Sequence, residues 1–65
     1  MLSPNEKKVL TELSNGLKNK EVAEVLKMSM QSVSENLRRI YVKLNIDKSR
    51  NIHFVIVEAQ KKSLI

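Results

Sequence analysis

Apolar residues recur along this chain at helical spacing. In "SMQSVSENLRRIYVKLNI", Ser29 to Ile46, they fall at Val33, Leu37, Ile40, Tyr41 and Leu44. That is one face of an α-helix turning about 100° per residue. Shorter stripes precede it: Val9, Leu10 and Leu13, then Val22, Val25 and Leu26. A denser set follows: Ile52, Phe54, Val55, Ile56, Val57 and Ala59.

The polar residues between the stripes punctuate them. "SPNE" predicts a helix start, with Ser3 as cap, Pro4 in the first turn and Glu6 closing a capping box. That helix should stop at Ser14–Asn15, because Gly16 stands where a left-handed residue is wanted, and Leu17 packs back on the core. Asn19 is the expected cap of the second helix, "NKEVAEVL", with Glu21 near its positive end. Its three apolar residues are expected to face inward, and small Ala23 to allow close approach of another helix. "KMSM" breaks the pattern, and Ser29 caps a third helix running to about Leu44. "NIDKS" is a turn, and Ser49 is the expected cap of a fourth helix, roughly residues 50–61.

Local propensity argues against that fourth helix. "IHFVIV" is rich in β-branched residues and alone reads as a strand. A lone strand in a helical chain has no partner for its backbone groups, so helix is the consistent reading. The expected fold class is all-α: four helices in a single domain over residues 1–65.

Charge adds direction. The chain has 12 Lys+Arg against 7 Asp+Glu, a formal net charge of +5. Residues 29–50 hold five basic and two acidic side chains, so the excess concentrates on and after the third helix. A basic segment of this kind favours nucleic acid as partner. There is no cysteine, which excludes disulfides and thiolate metal sites and agrees with a cytoplasmic location. No apolar run approaches the ~18 residues of a membrane span, and the first turn is too polar for a signal peptide.

A short helix, a tight turn and a longer helix with a clean inner stripe make the helix-turn-helix plan, whose second helix enters the DNA major groove. The stripe fixes what faces out on the third helix: Gln31, Glu35, Arg38, Arg39 and Val42, with Ser34 on the flank. Arg38 can donate two hydrogen bonds to guanine, and Gln31 can pair with adenine or a phosphate. Lys20, Ser29, Ser32 and Lys43 carry groups suited to phosphates, which position a protein without specifying sequence. Glu35 has two open readings on DNA, beside a third in which it marks a surface repurposed for protein contact. It can pair with Arg39 one turn on, for about 0.2–0.5 kcal/mol. It can also accept from cytosine N4 in the groove.

The pieces "LSPNEKKVL", "GLKNKEVAEVL", "SMQSV", "LRRIYVKLNI" and "KSR" occur in order over most of the chain. Together they resemble the LuxR/GerE-type DNA-binding domain of bacterial transcription regulators. The resemblance implies four helices, a third helix that reads DNA and a fourth that often supports dimerisation. It puts base contacts at Ser34, Glu35 and Arg38, and phosphate contacts at Lys20, Ser32, Lys43 and Arg39. This chain departs from the family at several positions. Ser34 stands where lysine is common, Asn36 where histidine is, Val42 where a basic residue is, and Ser63 where glycine is more usual. Glu35 is also an uncommon choice. These changes are expected to remove positive charge from the reading surface. Family members often carry an upstream sensing or receiver domain, so the chain is expected to be a free-standing protein or an excised domain.

No enzyme is expected. His53 is the only histidine, the acidic residues are scattered, and there is no Gly-rich phosphate loop, so no catalytic pair, metal, cofactor or small-molecule substrate is implied. The expected function is sequence-specific binding of duplex DNA to regulate transcription, with RNA polymerase a candidate further partner. The expected form is a homodimer through Ile52, Val55, Ile56 and Ala59 of the fourth helix. The competing expectation is a protein-interaction module on the same fold.

Overall fold

A computed structural model describes residues 1–65. It has four helices and no strand: α1 Pro4–Ser14, α2 Asn19–Leu26, α3 Met30–Lys43 and α4 Ile52–Lys61. The β-branched run after Asn51 is helical. Val55 is fully buried and Ile52 and Ile56 pack on the core from one face of the helix, so packing overrides local propensity.

The starts of α1 and α3 follow their sequence signals. Ser3 Oγ accepts from the Glu6 N–H at 3.2 Å, and the Ser3 N–H donates to Glu6 Oε1 at 2.8 Å. Ser29 Oγ accepts from the Ser32 N–H at 3.0 Å. The other two starts are shifted. Lys18, not Asn19, precedes α2, and its N–H donates to Glu21 Oε1 at 2.8 Å. Asn51, not Ser49, caps α4 by accepting from the Phe54 N–H at 3.0 Å. The Ser49 N–H is already held by Asp47 Oδ1 at 2.8 Å in the preceding turn.

All four helices end the same way. The closing residue has positive φ: Gly16 at 93°, Lys27 at 56°, Asn45 at 57° and Ser63 at 57°. The next residue's N–H reaches back five positions, as in Met28 to Ala23 and Leu64 to Ala59, each at 2.9 Å. This is the Schellman arrangement, which satisfies carbonyls that the helix end leaves free. The residue after each positive φ is apolar and packs on the core: Leu17, Met28, Ile46 and Leu64.

The core has two lobes. Val9, Leu13, Val22, Ala23 and Val33 fill the space between α1, α2 and the start of α3. Leu2, Leu10, Ile40, Val55 and Ala59 fill the space between α1, α3 and α4. Leu37, Ile52 and Ile56 touch both lobes. Helix α1 lies against the other three, so it is the element on which α3 is oriented.

Three expectations need correction. Val25 is 55% exposed: α2 buries only Val22 and Ala23, a narrower stripe than its three apolar residues suggested. The apolar surface of α4 is not a free patch. Val55 and Ala59 are fully buried in the protomer's own core, and Ile52 and Ile56 bridge its lobes. Val55 and Ala59 are therefore taken up by the core and have no surface to offer a partner, while Ile52 and Ile56 are only partly buried; burying a side chain the size of Val55 contributes about 1.5–3 kcal/mol. Asn36 is only 4% exposed, so replacing a histidine there takes no charge from an outer surface.

Candidate nucleic-acid interface

The outer face of α3 is free. Gln31, Ser34, Glu35, Arg38, Arg39 and Val42 are all exposed, as the stripe of Val33, Leu37 and Ile40 requires. Fourteen residues make a helix about 21 Å long, standing clear of the other elements along that face. A major groove is about 12 Å wide and admits one helix.

The two flanks of α3 differ in what holds them. On one, Arg39 and Lys43 lie one turn apart and converge on Glu6 of α1. Arg39 Nε donates to Glu6 Oε2 at 3.1 Å, and Lys43 Nζ donates to Glu6 Oε1 at 2.8 Å. Glu6 is 1% exposed, while both cations keep much of their surface in solvent. Burial pushes the Glu6 carboxyl up. Hydrogen bonds from Lys43, the Ser3 backbone N–H and Arg39 outweigh it and bring the pKa down from 4.5 to about 2. Glu6 is thus both a capping residue and the clamp that sets α3 on α1. The capping box was legible in sequence; the clamp was not, because its partners lie 33 and 37 positions away.

Asn36, one turn before Arg39 on the same helix, is buried. Its Nδ2 donates to the Ser32 carbonyl at 2.7 Å, and its Oδ1 is buried with no partner in the protein. On the other flank, Ser34, Leu37, Arg38, Tyr41 and Val42 line a shallow groove with Ile46, Asp47 and Lys48. The loop that forms this groove is pinned. Tyr41 Oη donates to the Arg50 carbonyl at 2.8 Å, and the Arg50 guanidinium lies 4.6 Å from the centre of the Phe54 ring. Val42 is 72% exposed there, and Lys48 stands at the groove's edge. No pattern in the sequence marks Lys48 for this surface, because it lies in a turn rather than on a helix face.

At the helix start, the Ser29 hydroxyl donates to Ser32 Oγ at 3.1 Å. Lys20 is exposed on the first turn of α2. Gln31 and Glu35 are linked by a 3.5 Å contact from Nε2 to Oε2. The i, i+4 pair expected between Glu35 and Arg39 does not form, because Arg39 is turned to Glu6. The face of α3 therefore presents an amide, a hydroxyl, a free carboxylate and a guanidinium, flanked by basic side chains.

An eight-residue helix, a three-residue turn through a left-handed Lys27, and a longer helix with a polar outer face define a helix-turn-helix domain of the DNA-binding kind. Residues 1–55 match the bacterial regulatory proteins of the luxR family, and the chain belongs to that family. It is 44% identical over 46 residues to the nitrate/nitrite response regulator protein NarP of Escherichia coli strain K12, a match covering 71% of this chain and 21% of NarP. Its fold superposes on the crystal structure of the response regulator ChrA of a heme-sensing two-component system with a TM-score of 0.90 and 35% identity. That superposition covers all of this chain and 31% of ChrA. The chain thus spans less than a third of either relative. Family and fold together make this a LuxR-type helix-turn-helix domain for DNA-binding transcription regulation. No helix is long and apolar enough to cross a membrane.

Proposed function

We propose that the domain binds duplex DNA sequence-specifically, with α3 in the major groove. Gln31, Ser34, Glu35 and Arg38 address base edges, and Lys20, Ser29, Ser32, Arg39 and Lys43 address phosphates. The observation that carries this reading is the free polar face of α3, held against α1 by Glu6 with a basic residue pair at its flank. Arg39 and Lys43 remain half in solvent, so each can meet a phosphate while still bonded to Glu6. Val42 and Lys48 extend the same surface, one suited to a thymine methyl and the other to the backbone.

Regulation by a homodimer on a two-fold symmetric site belongs to this reading, with recognition helices about one DNA turn apart. Since Val55 and Ala59 are core, the surface of α4 left for pairing centres on Phe54, Val57 and their polar neighbours. Pairing that depends on DNA fits so small an apolar area.

Selection from a pool of random duplexes tests the proposal. The expected result is one enriched short motif, repeated with two-fold symmetry. An unenriched pool, with the protein bound to no duplex, would instead favour a protein partner for this surface.

A further inference from the structure

Glu35 stands on the outer face of α3 between Gln31, one turn before, and Arg38, one turn after. It is exposed, and no lysine or arginine lies within ion-pair distance of it, because Glu6 has drawn Arg39 to the opposite flank. Its one polar contact is the Gln31 amide at 3.5 Å, and that N–H is spent on the carboxylate. The centre of the face is therefore an acceptor without a cation of its own.

A carboxylate accepts hydrogen bonds and cannot donate them. On the floor of the major groove the only donors are the exocyclic amines, N6 of adenine and N4 of cytosine. Guanine O6 and thymine O4 are acceptors, and either would face the carboxylate with like polarity. A carboxylate pressed into the groove without a donor is a desolvated, unpaired charge beside a polyanion, which is strongly unfavourable.

We infer that Glu35 is a specificity determinant that admits an amino base, adenine or cytosine, at one position of the site and rejects the keto bases guanine and thymine. The inference rests on the DNA-binding reading above. Glu6 acts on it at a distance: by holding Arg39, it leaves the carboxylate unneutralised and so able to discriminate. Gln31, oriented by the same carboxylate, keeps its amide oxygen and one N–H for the neighbouring base pair.

The test compares sequence preferences of the wild type, Glu35→Gln and Glu35→Ala, each selected on random duplexes and then titrated on duplexes differing at single positions. The wild type is expected to show a position confined to adenine or cytosine, with guanine or thymine weaker by about tenfold or more. Glu35→Gln can donate as well as accept, so it should admit all four bases there while leaving other positions unchanged. Glu35→Ala should lose the preference and bind all duplexes more tightly, having removed a negative charge near phosphates. A wild type that selects a motif whose preferences are identical in both variants overturns the inference and leaves the DNA-binding reading standing. A wild type that binds no duplex overturns both.

Discussion

Lys43, the last residue of α3, places its ammonium 2.8 Å from a carboxylate oxygen of Glu6 in the first turn of α1. Glu6 is almost fully buried, caps its own helix through Ser3 and binds Arg39 as well. One carboxylate thereby connects a helix start to the orientation of the reading helix.

This arrangement makes stability depend on acid. The Glu6 pKa is lowered from 4.5 to about 2 in the folded protein. A depressed carboxyl pKa stabilises the fold above the unfolded value and loses that contribution as pH falls through the folded one. Stability should therefore decline from about pH 5 to about pH 2, by about 3 kcal/mol from this group. Glu6→Gln should be less stable than wild type near pH 7 and lose most of the decline. Urea unfolding across this pH range measures both; a mutant with the wild-type slope would contradict the role given to Glu6.

The helix ends offer a separate check. Lys27 and Ser63 hold left-handed backbone that glycine adopts without a Cβ penalty. Lys27→Gly and Ser63→Gly should each stabilise by about 0.5–1 kcal/mol, less what glycine adds to the unfolded chain's entropy. Gly16→Ala should destabilise by about 1 kcal/mol through its φ of 93° alone, since a Cβ there meets nothing within 4 Å. Thermal melts of the three variants decide.

Much of this fold was legible in sequence because its signals are local. The Ser3–Glu6 box, the Ser29 cap and Gly16 each act within a few residues, and the α3 stripe fixed its outer face. What escaped was long-range. Nothing local to Arg39 and Lys43 names Glu6, although their spacing of one turn does put them on one flank. Asn36 is buried as well, and its polarity hid it from any apolar pattern. On α4, composition showed abundant apolar residues but not that two core lobes would take up Val55, Ala59, Ile52 and Ile56.

That last point alters what α4 variants should do. Val55→Ala removes two methyl groups from a fully buried site and should cost about 1–3 kcal/mol of protomer stability. Ile56→Lys puts a charge on a partly buried side chain where the lobes meet and should lower protomer stability in its own right. If α4 instead paired through these residues, melting temperature would rise with protein concentration in the wild type and not in the variants.

Arg38→Ala and Lys43→Ala should differ in kind. Arg38 is exposed with no ion-pair partner, so its loss should leave stability unchanged and relax base preference at one position. Lys43 is bonded to Glu6, so its loss should lower stability and weaken binding to all duplexes alike. Melting curves and titrations on matched and mismatched duplexes separate the two; indistinguishable effects would refute the facing assigned to Arg38.

The most direct test of DNA recognition by α3 is titration of a labelled duplex at about 50 and 200 mM salt. If Lys20, Arg39 and Lys43 each neutralise a phosphate, counterion release predicts a fall in affinity of about 40-fold per bound domain between the two conditions. Arg39→Ala or Lys43→Ala should flatten that slope. Affinity that does not change with salt, or no binding at either concentration, would contradict the account.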